Sequence, residues 1–335
     1  MPRVLEPLAG KLALKNRLVM PPMATSKANP DGSVSLGLLE YYDEKSRGGA
    51  LGLVITEHCC VTQQGKNRAG QPSVAEDGMV EGLAHLAAAF HRNGVKAVVQ
   101  INHSGAASDP VATGLEVVSA SAVQIPGRTG ETPRELTAAE IGVIVGEFAA
   151  AARRVKAAGF DGVEIHAAHG YLLNQFFSPL TNARTDAYGG DVNGRIRMHL
   201  EVIAAVRGAV GERFPVLLRL GACDYMEGGS RIEDSVVAAA EFERAGVDIL
   251  DVTGGLRGYI RPGHSEPGYF AELSRAIRAV VSIPVILTGG VTEVEDAERL
   301  LEEGAADLVG VGRAMLKDSE WAQKAVRSAE AGGRP

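Results

Sequence analysis

The segment His166-Ala-Ala-His169-Gly-Tyr171 places two imidazoles and a phenol close together, directly after a short apolar run. If the chain turns helically after Ile165, side chains three apart project the same way and Tyr171 follows close behind. Two imidazole donors aimed at one carbonyl oxygen stabilise the negative charge that develops when a nucleophile adds to the conjugated alkene. A phenol, with an ordinary pKa of about 10, then supplies a proton. Paired histidines after a strand also serve as zinc ligands or as satisfied core groups. An open catalytic zinc site needs about three protein ligands, however, and no other His or Cys cluster has suggestive spacing; no metal site is expected.

Elements that position this trio are legible in the pattern of the chain. Runs rich in Val, Ile and Leu at 18–22, 51–57, 97–103, 162–167, 216–221, 249–254, 285–290 and 308–312 predict eight strands. Their continuous apolar character implies burial on both faces, as in a parallel sheet. Helical patterns fall between them at 38–46, 79–93, 138–158, 195–210, 232–245, 270–280, 293–303 and 318–329, and Gly94, Gly159, Gly246 and Gly304 stand where left-handed C-caps belong. Eight alternations with no spare strand predict an α/β fold, a (β/α)8 TIM barrel, rather than an open doubly wound sheet. Length permits two domains, but barrels of this size form one, so residues 1–335 are expected to be a single domain. The long connection 104–135 after the third strand, rich in Gly, Pro, Ser and Thr, is expected to be a lid over the barrel mouth. The segment 8–17 is expected to form a small hairpin closing the opposite end.

Composition bounds the partners. With 34 basic and 41 acidic residues, a net charge of −7 and 45 % hydrophobic content, the chain reads as globular and without the basic face of a nucleic-acid binder. Cys59, Cys60 and Cys223 offer no disulfide framework and no C-x-x-C pair, which fits a reducing compartment. Cys59 and Cys60, beside His58, read as packing residues rather than redox thiols. No signal-peptide profile and no apolar run of about 18 residues is present. A cytoplasmic location without membrane association is expected.

In such a barrel the working residues come from the carboxyl ends of the strands. These are Pro21, Pro22, Met23 and Ala24; Glu57 and His58; Gln100 and His103; His166, His169 and Tyr171; Arg219; Gly254 and Gly255; Gly289 and Gly290; and Gly312 with Arg313. Glycines at the last two ends let backbone N–H groups approach a phosphate, and Arg313 adds charge. A mononucleotide fits this layout, with Gln100 and Arg219 placed to meet the polar edge of a flavin. Equally, Gln100 could be a satisfied interior amide and Arg219 a buried ion pair with Glu164 of the neighbouring strand.

These residues carry a resemblance. The run 14–23 (Leu-Lys-Asn-Arg-Leu-Val-Met-Pro-Pro-Met), the segment Gln100-Ile-Asn-His103-Ser-Gly105, the stretch 166–197 and the closing Thr288-Gly289-Gly290 with Gly312-Arg313 resemble the old yellow enzyme family over nearly the whole chain. The likeness is greatest to the bacterial single-domain ene-reductase branch, also called NADH:flavin oxidoreductases or NADPH dehydrogenases. The resemblance implies non-covalent FMN, with NAD(P)H as reductant. It implies that Pro22, Met23 and Ala24 touch the flavin, Gln100 its pyrimidine edge, Arg219 the N1 and C2 carbonyl region, and Gly290, Gly312 and Arg313 the phosphate, with His58 and Gly289 also on the cofactor side. His166 and His169 would hold a substrate carbonyl and Tyr171 would be the proton donor. Two departures stand out. Ala24 replaces the Thr or Cys of many relatives, so a side chain that tunes flavin potential is absent. The tail 331–335 matches poorly the pattern in which an arginine enters a neighbouring subunit's site, so that role is not given to Arg334. Without clustered cysteines, the iron–sulfur cluster of the larger dienoyl-CoA reductase relatives is not expected.

The function expected is reduction of the C=C bond of α,β-unsaturated carbonyl compounds, hydride coming from flavin N5 and the proton from Tyr171. One alternative keeps the flavin but passes electrons to quinones, nitro compounds or oxygen without carbonyl activation. Others are a non-catalytic flavin-binding protein and, requiring a basic RNA face, a tRNA-modifying barrel. The partners expected are a small-molecule substrate and further copies of the chain in a homo-oligomer. Neither the substrate nor NADH against NADPH is fixed by the sequence.

Overall fold

A computed structural model describes residues 1–332. Eight parallel strands form the barrel: β1 (Leu18–Met20), β2 (Leu53–Ile55), β3 (Lys96–Asn102), β4 (Gly162–Ala167), β5 (Val216–Gly221), β6 (Ile249–Thr253), β7 (Val285–Thr288) and β8 (Leu308–Gly310). Each pairs with its sequence neighbours, and closure comes where β1 bonds to β8, with Val19 opposite Gly310. Seven lie inside the predicted runs, and β3 begins one residue before its run, at Lys96. β1, β2, β6, β7 and β8 stop short of their predicted ends because their last residues turn out of the ladder at the mouth.

The outer ring is α1 (Leu36–Ser46), α2 (Val80–Arg92), α3 (Ala138–Ala157), α4 (Arg197–Val210), α5 (Ile232–Arg244), α6 (Ala271–Arg278), α7 (Val294–Glu302) and α8 (Trp321–Gly332). Helix α3 opens with a reciprocal cap: Thr137 Oγ1 accepts from the Glu140 N–H, and the Glu140 carboxylate accepts from the Thr137 N–H at 2.8 Å. After α2, α3, α5 and α7, Gly94, Gly159, Gly246 and Gly304 take φ between +66° and +105°. That left-handed geometry ends a helix at little cost only for glycine.

Two hydrophobic clusters divide the interior. The larger joins the outer strand faces to the helices. The smaller fills the lower barrel with Val19, Leu53, Ile55, Val98, Leu217, Ile249, Ile286 and Leu308, and Leu12 and Leu14 cap it. Leu8 and Leu14 form an antiparallel bridge with N–H···O distances of 2.9 Å in both directions, giving the expected closing turn. The 104–135 segment is not structureless: it contains the helix Pro110–Thr113 and a strand, Val118–Ser119, paired with Arg134–Glu135. Cys59 and Cys60 extend β-pairing opposite Ile101 and Asn102; both are buried, and burial pushes both thiols up, consistent with packing. Among the described residues no helix is long and apolar enough to cross a membrane.

Candidate active site

The carboxyl ends of the strands surround a cavity of about 420 Å³, within the size range of cofactor sites. Pro22, Met23, Ala24, His58, Gln100, His166, His169, Tyr171, Arg219, Gly289, Gly290, Gly312 and Arg313 all line it. His103 does not: it is buried behind the wall, accepting from the Gly105 N–H at 3.1 Å. Nor does Asp224, whose carboxylate is occupied by Ser178, the Ser230 N–H and the Leu256 N–H. Tyr259 and Tyr269 join the lining. A more open groove of about 690 Å³ between Met1, Lys15 and Arg327 has none of this chemistry.

The two imidazoles meet edge to face at 5.1 Å, and the Tyr171 ring lies 5.0 Å from that of His166. A helical turn after Ile165 does not produce this; that expectation is corrected. His166 belongs to β4, whereas His169 has φ +59° and Gly170 φ +72°, a tight left-handed corner. A non-glycine residue is strained there. Arg128 holds the corner by donating to the His169 carbonyl at 2.8 Å, and Asn174 Oδ1 accepts the Gly170 N–H at 2.8 Å. The His169 Nε2 lies 3.1 Å from Thr253 Oγ1. Burial above all, then the neighbouring imidazoles for His166 and Arg219 for His169, lowers both imidazole pKa values well below the usual range. Both rings are therefore neutral near pH 7, each with one N–H to donate. The His166 Nδ1 is buried with no protein partner.

The phenol is backed by a network. Asn67 Nδ2 donates to the Tyr171 oxygen at 3.0 Å, and His58 Nε2 lies 3.3 Å from it. Gln71 fixes the His58 tautomer: its Oε1 accepts the Asn67 N–H at 2.8 Å, so its Nε2 donates to His58 Nδ1 at 2.8 Å. His58 is neutral, its pKa lowered to about 3 by burial, then by Arg68 and Arg219. Its proton therefore sits on Nε2, facing the phenol oxygen. Two donors on that oxygen leave the phenol's own O–H for another acceptor. Burial raises the Tyr171 pKa, with Arg128 and Arg68 opposing.

Beneath these groups the barrel holds a buried charge cluster set by strand register. His166 pairs with Arg219, Arg219 with Asp251, and Gln100 with Glu164. The Arg219 ion pair runs to Asp251 at 3.2 Å, not to Glu164 as the sequence suggested. Gln100 Nε2 donates to Glu164 Oε2 at 2.7 Å. Burial, followed by the charge on Asp251, raises the Glu164 carboxyl well above its usual range, so it keeps its proton near neutrality. Asp251 went unnoticed in the sequence. Its signal was an acid inside the apolar strand Ile-Leu-Asp-Val-Thr, where a buried charge demands a partner.

The wall residues fit FMN. Gln100 Oε1 and Thr288 Oγ1 are buried without protein partners, which leaves an amide acceptor and a hydroxyl for a polar ring system. Arg219 supplies positive charge beside them. At the far end Gly290, with φ +73°, and Gly312, preceding Arg313, bring backbone and a guanidinium to one side of the cavity, the donor set a phosphate needs. Met23 and Ala24 add apolar surface, Ala24 contributing only a methyl. Among the described residues no group of three or more His, Cys, Asp or Glu could hold a metal.

The family described as NADH:flavin oxidoreductase / NADH oxidase matches residues 4–331. An NADH oxidase of Thermoanaerobacter brockii is 44 % identical over 94 % of this chain; the chain spans about half of that relative, 49 % of its length. An NADPH dehydrogenase of Clostridium acetobutylicum is 36 % identical, with 94 % of this chain and 92 % of the relative covered. The structure of an old yellow enzyme homologue from Zymomonas mobilis superposes with a TM-score of 0.85 at 28 % identity, covering 98 % of this chain and 93 % of that one. The chain belongs to the NADH:flavin oxidoreductase / NADH oxidase family, the FMN-dependent oxidoreductases of old yellow enzyme type.

Proposed function

We propose that this chain is an NAD(P)H-dependent ene-reductase that saturates the C=C bond of α,β-unsaturated carbonyl compounds. The observation that carries the reading is the convergence of two neutral imidazoles and a donor-backed phenol over one cavity. When bound, FMN supplies hydride chemistry, accepting hydride from NAD(P)H and giving it to the alkene β-carbon. Gln100 and Arg219 would hold its polar edge, and Gly290, Gly312 and Arg313 its phosphate.

The protein's own groups act on the acceptor. His166 and His169 each donate an N–H to the carbonyl oxygen, and because both rings are neutral and buried these donors are oriented before substrate arrives. Tyr171 gives its O–H proton to the α-carbon. The phenolate left behind keeps the Asn67 and His58 donors, with the guanidinium of Arg128 5.9 Å from the ring centre. The 104–135 segment, through Arg128, acts as the lid that orders this corner.

The test is the double variant His166→Ala/His169→Ala. Loss of one oriented oxyanion donor costs about 10²–10³ in rate, so enone turnover should fall by at least that factor while NAD(P)H still bleaches the flavin. Equal losses in both half-reactions would remove the assignment. A second reading, electron delivery to oxygen or quinones, is favoured by the likeness to an NADH oxidase; it predicts acceptor turnover indifferent to Tyr171.

A further inference from the structure

The cavity lining contains three arginines and no acidic side chain, although the chain carries a net charge of −7. Two of the three have tasks: Arg219 faces Asp251, and Arg313 belongs to the phosphate end. Arg68 has none. Its Nε is buried without a partner, and among the described residues no carboxylate lies within ion-pair distance of it. Among the described residues its hydrogen-bond neighbour is His58, whose Nε2 is 3.5 Å from Nη2. A neutral ring carrying its proton on Nε2 cannot satisfy a guanidinium, since both groups are donors there. Glu57 attracts it only through space, and because arginine does not escape by losing its proton, a half-buried guanidinium that no carboxylate bonds is left with donors for a ligand to take.

We propose that Arg68 receives an anionic group of the hydride acceptor: the substrate is an unsaturated carbonyl compound bearing a carboxylate next to the alkene, separate from the carbonyl held by His166 and His169. This rests on the ene-reductase reading. His58 Nε2 is 3.3 Å from the Tyr171 oxygen and 3.5 Å from Arg68 Nη2, so proton donor and guanidinium share one neighbour. A carboxylate one bond from the alkene then reaches Arg68 while the α-carbon faces Tyr171. Arginine suits this task because its fork binds both carboxylate oxygens. Arg128, also without a carboxylate partner among the described residues, adds positive potential 5.9 Å from the centre of the phenol ring. A phosphate of NAD(P)H shares the anionic chemistry, and the experiment separates the two sources.

FMN-loaded wild type, Arg68→Ala and Arg68→Lys are compared with 4-oxopent-2-enoate and its methyl ester as acceptors. The saturated pair, 4-oxopentanoate and its methyl ester, is titrated calorimetrically, which reads binding without turnover. Arg68→Ala should lower the acid-to-ester ratio of kcat/KM, and the same ratio of affinities, by about tenfold to a hundredfold, the worth of a hydrogen bond to a charged group. Arg68→Lys should restore part of it. A ratio unchanged between wild type and Arg68→Ala overturns the proposal. So does a shift confined to the dissociation constants of NADH and NADPH in the reductive half-reaction, which would make the dinucleotide the anion. If NAD(P)H reduces the flavin but neither acid nor ester reoxidises it, the ene-reductase reading fails separately, and the calorimetric ratio still reports on Arg68.

Discussion

Replacing His199 by leucine isolates one source of acid sensitivity in this fold. His199 lies in α4, fully buried, stacked on Phe242 of α5 at 5.4 Å and 18° and edge-on to Phe177 at 6.1 Å. Neither ring nitrogen has a hydrogen-bond partner, and burial drives the pKa down to about 3. In the unfolded chain the value is about 6.5. Above that pH both states are neutral and the residue adds no pH dependence. Below it the unfolded chain takes up a proton that the folded one refuses, so stability falls by about 1.4 kcal/mol per pH unit until the folded pKa is reached. Between pH 7.5 and 5.0 the loss is about 2 kcal/mol from this side chain. Leucine abolishes that term and also removes a polar group whose unmade hydrogen bonds cost about 1–3 kcal/mol. Urea unfolding followed by circular dichroism should find His199→Leu at least as stable as wild type at pH 7.5. At pH 5.0 its advantage should be about 2 kcal/mol greater. His58 and His103, with pKa values lowered to about 3 and about 4 by burial, lose stability in both proteins and cancel in the comparison. An identical decline in wild type and variant would refute the reasoning.

Tyr171→Phe should reduce enone turnover by about 10²–10⁴, the usual share of a positioned general acid, while stopped-flow reduction of the flavin by NAD(P)H and turnover of quinones stay close to wild type. Asp251→Asn leaves Arg219 without its ionised partner inside the barrel. Breaking a buried pair costs about 3–5 kcal/mol, and the lower end is expected because Glu164 is near enough to ionise in compensation; chemical denaturation at pH 7.5 measures it.

What the sequence made legible follows physical rules of unequal reach. Strand ends could be collected because β3 to β6 read as buried runs and a parallel barrel presents its carboxyl ends together. Thus Gln100, His166, Arg219 and the Gly-Arg at 312–313 could be placed at the barrel mouth by position, and all of them line the cavity. The corner at His169 was not legible, because its left-handed φ is imposed by Arg128 and Asn174, partners distant or non-obvious in the chain. Asn67, Arg68 and Gln71 were invisible for a related reason. They sit in the irregular segment after β2, where no periodicity says which way a side chain points; Asn67 bonds the Tyr171 oxygen directly, and Arg68 and Gln71 reach it through His58. Asp251 was findable, as an acid lodged within an apolar strand, but choosing it over Glu164 as the arginine's partner required the register.

The plug formed by Leu8, Leu12 and Leu14 seals the floor of the barrel. Among the described residues the cavity opens at the rim where the histidines stand. Under the proposed chemistry, reductant and acceptor must take turns at the same threshold, each leaving before the next arrives, and alternation between them is then a consequence of plumbing as much as of redox chemistry.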